Sequence, residues 1–252
     1  MTWPFENDTS GIVKRISNRS ISANRKRNIF IVLTIVLASA LLSAIVLYGF
    51  GVMQETQNRN QKTAQIMYHA ISEQQGQELY KQEEIAWVGE FFNAFSEQVN
   101  HSTVNFTYAN ADMLKSQSMP YSGDLPASEN EIVVQESFLD SLGYSNELGQ
   151  TIQIPFSDGT THDFKLTGIL DVKTGDIGRY TAIISKELVR QQYGDGGMID
   201  YYIGLKGAQN MSEEEATNYA NTLAQQLKIS DDNVIVRSTY FNLKDENHGS
   251  DM

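Results

Sequence analysis

The longest pattern in the chain is an unbroken apolar run. The twenty-five residues from Ile29 to Met53 carry no charge, and fifteen of them are Leu, Ile, Val or Phe. As a helix at about 1.5 Å per residue the run is roughly 37 Å long, enough to cross a hydrocarbon core near 30 Å with some tilt. Each large aliphatic residue near the middle favours insertion by about 0.3–0.6 kcal/mol, and no ionised side chain opposes that sum. The run therefore predicts a transmembrane helix over 29–53. Ahead of it, Asp8 or Thr9 is placed to cap a helix from about Ser10 to Asn24. Ile12, Val13, Ile16 and Ile21 fall near one face of that helix, with Lys14, Arg15, Arg19 and Arg25 around the rest.

Beyond a polar juncture, Gln54 to Gln61, shorter alternations replace the long run. Strands are expected at Thr63–Ser72, Val104–Ala109, Glu131–Gln135, Thr151–Pro155, Thr161–Leu170, Tyr180–Ile184 and Tyr201–Leu205, with a last one opening at Val234–Val236. Ile85–Ser96 is apolar and ambiguous between strand and helix. Helices are expected within Glu73–Glu84, at Ser137–Leu142 closed by Gly143, and at Ser185–Tyr193 stopped by Gly194. Ser212-Glu213-Glu214-Glu215 is a capping box for a helix to about Leu227, apolar along Ala216, Tyr219, Ala220, Leu223 and Leu227. Ser118–Asn130 is rich in turn residues, and Asp158-Gly159 reads as a hairpin turn in which both positions tolerate positive φ. Strands and helices joined by hairpins point to an α+β domain. The tail 244–252 reads as disordered.

Charge orients this chain. Residues 1–28 hold six basic and two acidic residues, net +4, whereas residues 54–252 hold thirteen basic and twenty-nine acidic, net −16. The excess of Lys and Arg before the span places the N-terminus in the cytoplasm and everything after Met53 outside. So acidic an exterior argues against nucleic acid as a partner. A basic amphipathic helix beside the span fits the anionic inner leaflet, the alternative being a coupling element that touches a cytoplasmic partner. Ala38-Ser39-Ala40 has the form of a signal-peptidase site, but the apolar run continues past it, which favours a retained anchor. Ser39 with Ser43, and Ala40 with Ala44, set small residues one turn apart, as at helix–helix contacts in lipid.

The usual chemical signatures are missing. There is no cysteine, so the outer domain of 199 residues (54–252) must rely on its hydrophobic core. His69, His101, His162 and His248 are scattered, and no His-x-x-x-His, Gly-x-Ser-x-Gly or phosphate-loop motif occurs. Asp171 to Asp176 has oxygen ligands for calcium but not the rest of an EF-hand, and a solvated loop is the simpler reading. In the outer domain Asn100, Asn105 and Asn210 each open an Asn-x-Ser/Thr tripeptide, a pattern common by chance. Phe106, Tyr108, Tyr193, Tyr201 and Tyr202 fit a strand core better than a ligand cage. No catalytic, cofactor-binding or metal-ligating residue is nominated, and the chain is expected not to be an enzyme.

Several segments, in order, do form a family pattern. Gly123-Asp124-Leu125-Pro126, Glu131-Ile132-Val133-Val134, Phe138-Leu139, Leu142-Gly143, Leu148-Gly149-Gln150-Thr151-Ile152 and Phe164 to Leu170 together resemble the FtsX-like, MacB-type ABC-transporter permeases. Trp3 to Thr9, with Arg25-Lys26-Arg27-Asn28 entering the span, is similar to permeases of Gram-positive bacteria. The resemblance implies a MacB core-like α+β domain, a mixed sheet with helices, on a single N-terminal transmembrane helix. The implied plan is a cytoplasmic basic segment (1–28), the span (29–53), an extracytoplasmic core domain (54–243) and a tail (244–252), in a bacterial plasma membrane. Family members continue into further spanning helices, so the chain is expected to be the N-terminal portion of a permease, by truncation or as a fragment. Implied partners are a cytoplasmic ABC ATPase, other permease helices or a second permease copy, and lipid. The expected role is coupling that ATPase to the outer domain, for export or mechanotransmission of peptides, antimicrobials or lipoproteins. The rival reading is a stand-alone single-pass receptor or binding protein with an acidic sensor domain. An anchored hydrolase is a third, with no visible triad or metal set to support it.

Overall fold

A computed structural model describes residues 9–172, 179–194 and 199–241. The chain divides into two compact units, residues 1–57 and 58–252. In the first, helix α1 (Ser10–Ala23) is followed after one residue by α2 (Arg25–Lys62). The Thr9 carbonyl accepts from the Val13 amide, as expected at a helix start, while Asp8 lies outside the described residues. Helix α2 does not stop at the expected polar juncture but continues to Lys62, consistent with the helix propensity of Gln, Glu and Lys. Among the described residues α2 is the one helix long and apolar enough to cross a membrane, over Arg25–Gly51. Two of its serine hydroxyls bond the helix's own carbonyls: Ser43 donates to the Ser39 carbonyl at 2.8 Å and Ser39 to that of Val36 at 2.9 Å. Ser39 and Ser43 therefore bond their own helix backbone.

The second unit is built on one mixed sheet. Its strands are β1 (Ile66–Ile71), β2 (Ile85–Val99), β3 (Ser102–Ala109), β4 (Tyr121–Gly123), β5 (Glu131–Gln135), β6 (Thr151–Pro155), β7 (Thr161–Leu170), β8 (Arg179–Ile184), β9 (Ile199–Leu205) and β10 (Val234–Val236). Across the sheet they run β10-β1-β9-β2-β3-β8-β5-β7-β4, with β6 paired to β7. The pairs β3–β8 and β5–β7 are parallel and the rest antiparallel. Helices α3 (Glu73–Leu79), α4 (Ala111–Ser116), α5 (Glu136–Leu142), α6 (Lys186–Tyr193) and α7 (Glu213–Leu227) complete the unit. This is the expected α+β class.

Alternation along the strands separates the two faces of the sheet. Ile132 and Val134 of β5, like Ala182 and Ile184 of β8, join one core with Phe138 and Leu139 of α5 and Leu188 and Val189 of α6. Val133 and Ile183, between them, meet Met113 and Leu114 of α4 instead. A further core gathers Ile66 and Tyr68 of β1, Tyr201 and Ile203 of β9, and Ala216, Ala220 and Leu223 of α7. The capping box that opens α7 is present, with Ser212 and Glu215 each bonding the other's backbone amide. Phe92 and Tyr108 pack against both large cores, so β2 and β3 form the seam between them.

Four local expectations change. The ambiguous run Ile85–Ser96 is a strand that extends to Val99 and shifts register between Asn93 and Phe95, its aromatic residues fitting a pleated surface. Helix α4, under two turns long, is too short for a periodic signal; Asn110 caps it, accepting from the Met113 amide at 2.9 Å. The turn-rich stretch contains β4, in which Gly123 (φ +84°) pairs with Gly168 of β7. A Cβ on Gly123 would strike the Thr167 carbonyl, so this crossing admits only glycine. At the β6–β7 turn only Gly159 takes positive φ (+86°), and the Gly159 amide donates to the Phe156 carbonyl at 3.0 Å, which leaves Ser157 and Asp158 as the central pair. The positive-φ pair lies instead at Asn100-His101 (+49° and +68°), a two-residue turn between β2 and β3.

Candidate functional site

The most elaborate polar arrangement lies at the seam. Glu90 belongs to β2 and is 4% exposed. An ionised carboxylate so placed must be paired and hydrogen-bonded. Its Oε1 accepts from the Tyr80 hydroxyl at 2.8 Å, and its Oε2 from the Tyr108 hydroxyl at 2.5 Å and from Lys186 Nζ at 3.0 Å. Lys186 Nζ also lies 3.0 Å from Glu73 Oε1, which takes a 2.6 Å bond from Arg190. Two carboxylates and two cations thus alternate in one chain of contacts.

Each member is delivered by a local device. Ser185, fully buried, caps α6 by accepting from the Leu188 amide at 3.0 Å, and this starts the helix at Lys186. Arg190 follows one turn later on the same face. Glu73 opens α3, whose capping box pairs Ser72 with Gln75. Asn110 straps β2, its Oδ1 accepting from the Glu90 amide at 3.0 Å and its Nδ2 donating to the Val88 carbonyl at 2.9 Å. Lys186 Nζ stands 5.8 Å from the centre of the Tyr108 ring, within reach of a cation–π contact.

The electrostatics follow from burial. Burial, and then the Glu90 charge, hold the hydroxyls of Tyr80, Tyr108 and Tyr201 protonated well above the ordinary tyrosine range. The Arg190 bond, reinforced by Lys186, holds the Glu73 carboxyl below its ordinary range. Among the described residues the buried Tyr201 hydroxyl has no hydrogen-bond partner. Every cation here is answered by a carboxylate, and the groups are engaged with one another. What it can do is tie α3 and β2 to β3 and α6, so that a displacement on one side of the seam is felt on the other.

The residues weighed from the sequence are dispersed. His69 Nδ1 lies 2.7 Å from Asp200 Oδ1, which also accepts from the Ala70 amide. His101 occupies the β2–β3 turn, and His162 stacks near Phe156 with ring centres 4.2 Å apart. His248, the segment Trp3–Asp8, the tail and most of the Asp171–Asp176 loop lie outside the described residues. Among the described residues no three His, Asp or Glu side chains group as a metal site. Phe106 and Tyr201 are core residues, but Tyr193 corrects the expectation: it lies on α6, is 44% exposed, and donates to the Ala94 carbonyl. The seam has one visible signal in the sequence, Glu90, a lone charge inside Ile85–Phe95. On the α4 side of the sheet a cavity of about 250 Å³ is lined by neutral residues, among them Phe91, Asn93, Asn105, Thr107, Gln117 and Thr181.

Comparison with known proteins places this architecture. The extracellular domain of a noncanonic ABC-type transporter, YknZ, from Gram-positive bacteria shares the fold at 9% identity and a TM-score of 0.51, over 69% of this chain and 100% of that one. The periplasmic region of MacB from Actinobacillus actinomycetemcomitans aligns at 12% identity and a TM-score of 0.49, over 74% of this chain and 92% of that one. No curated protein sequence matches the chain. The family model of the MacB-like periplasmic core domain matches residues 29–234. Those residues take in the apolar helix, the seam and nine of the ten strands outright, and the chain belongs to the MacB-like periplasmic core domain family, the extracytoplasmic domain type of MacB/FtsX-class ABC-transporter permeases.

Proposed function

We propose that this chain is the anchor and outer domain of a permease that a separate cytoplasmic ABC ATPase drives. The N-terminus lies in the cytoplasm and the residues after Met53 lie outside. The single observation that carries this reading is the family match running through one apolar helix flanked by opposite charge, net +4 before it and −16 after it. Nucleotide-driven motion of the ATPase moves the spanning helices as rigid bodies, and α2, unbroken from Arg25 to Lys62, passes that motion outward. Other permease helices or a second copy complete the membrane part. Peptides, antimicrobial compounds or lipoproteins are the cargo or signal.

In this reading the outer domain performs no catalysis. Its best-built polar cluster is committed to mutual ion pairs and hydrogen bonds, which suits a mechanical part. The test is co-purification of the full permease with an ATPase, followed by turnover measurements with and without residues 64–241. Turnover that changes on deletion supports coupling, and unchanged turnover overturns it. A broad hydrolase screen on residues 54–252 alone is expected to be blank.

A further inference from the structure

A second cavity, of about 190 Å³, lies at the β6–β7 end of the sheet beside α6. That is room for about six water volumes, the size of a substituted ammonium head. Its apolar walls are Phe95, Phe156, Phe164 and Leu188. Phe95 is backed by Phe106, stacked at 4.6 Å and 14°, and Phe95 and Phe156 are inclined at 59° with centres 5.9 Å apart, two walls of a corner. Aromatic faces present negative potential, and rings set at an angle concentrate it on a cation between them.

The polar lining has the same sign. Glu129 and Asp163 line the cavity, and no Lys or Arg does. Neither carboxylate forms an ion pair among the described residues; Asp163 accepts only the neutral Gln153 amide at 3.0 Å. His162 completes the wall. The Thr160 hydroxyl donates to Asp158 at 2.6 Å, so toward the imidazole, 3.0 Å away, it is an acceptor and His162 Nε2 carries the hydrogen. Such unanswered acidic charge beside four rings contrasts with the seam, where every carboxylate has its cation.

We propose that this aromatic and acidic pocket binds an alkylammonium group, as a small free cation or as the lysine side chain of a peptide. The rings supply the faces, Glu129 and Asp163 the counter-charge, and the amides of Asn130, Gln191 and Gln192 the rim. The inference is independent of coupling to an ATPase.

The test uses the full chain in detergent with labelled phenylalanine, titrated with choline and with its neutral tert-butyl analogue while the ring resonances are followed. Choline is expected to shift the Phe95, Phe156 and Phe164 signals saturably, with the neutral analogue weaker by about tenfold. Glu129→Gln, at an exposed position, is expected to weaken choline binding several-fold, and Phe156→Leu to abolish it. Tighter binding of N-acetyl-lysine amide than of choline assigns the pocket to a peptide side chain, and the reverse order to a free cation. Equal affinity for choline and its neutral analogue overturns the proposal. So does choline binding that both variants leave intact, or the absence of any saturable shift in the parent chain.

Discussion

Gly76 of α3 lies directly against the ring of Tyr201 in β9, and a Cβ at Gly76 would fall within that ring. Tyr201 is fully buried and cannot swing aside. Gly76→Ala is therefore expected to destabilise the outer domain by about 2–3 kcal/mol, read from chemical denaturation. A loss under half a kcal/mol would show that α3 is free to shift.

Tyr201→Phe should behave differently. The hydroxyl that it removes is buried without a partner among the described residues, so its loss leaves none of them unsatisfied. Stability is expected to be unchanged or raised, and a drop of more than about 1 kcal/mol would reveal a hydrogen bond there.

The seam predicts a specific non-additivity. Lys186→Met leaves the Glu90 charge buried with only hydroxyl donors, at an expected cost of about 2 kcal/mol, Lys186 being partly solvated. Adding Glu90→Gln removes the orphaned charge and should recover part of that loss. Strict additivity of the two changes, measured in a double-mutant cycle, would show that the contact contributes nothing.

Alkaline pH should weaken the domain. The hydroxyls of Tyr80 and Tyr108 titrate above their unfolded value of 10.0, so the folded state holds protons that the unfolded chain releases. Stability is then fully present below about pH 10 and declines above it. Thermal midpoints are expected to fall from about pH 10 upward, less steeply in Tyr108→Phe; a flat profile would contradict the burial argument. Glu73 has the opposite sign. Its lowered carboxyl stabilises above the ordinary glutamate range and loses that effect as pH falls through the folded value, so Glu73→Gln should blunt the acid limb.

The β2–β3 turn offers a gain. His101 holds φ at +68°, which costs a residue with a Cβ more than it costs glycine. His101→Gly is expected to raise stability by about 0.5–1 kcal/mol. A loss would mean that the imidazole has a contact worth more than the strain.

What the sequence disclosed was local, and what it concealed was tertiary. The capping box at Ser212, the αL stop at Gly143 and the β-rich run of β5 are written in neighbouring residues, and all three stand as expected. Helix α4 is too short for a periodic signal, and the resolution of Ile85–Val99 as strand depends on partners in β3 and β9. The seam joins Glu73, Glu90, Tyr108 and Lys186, positions more than a hundred residues apart at the extremes, which one chain without aligned relatives cannot pair. Even so, a lone glutamate among Trp87, Val88, Phe91 and Phe92 demands an internal partner.

Strand β10 lies beside β1, with Val236 opposite Ile66. The polypeptide thus leaves the sheet within one strand spacing, about 5 Å, of the place where it came in. A lobe whose two doorposts touch can be lifted out and bridged by a few flexible residues, or grafted into a loop of another host, without stretching either parent.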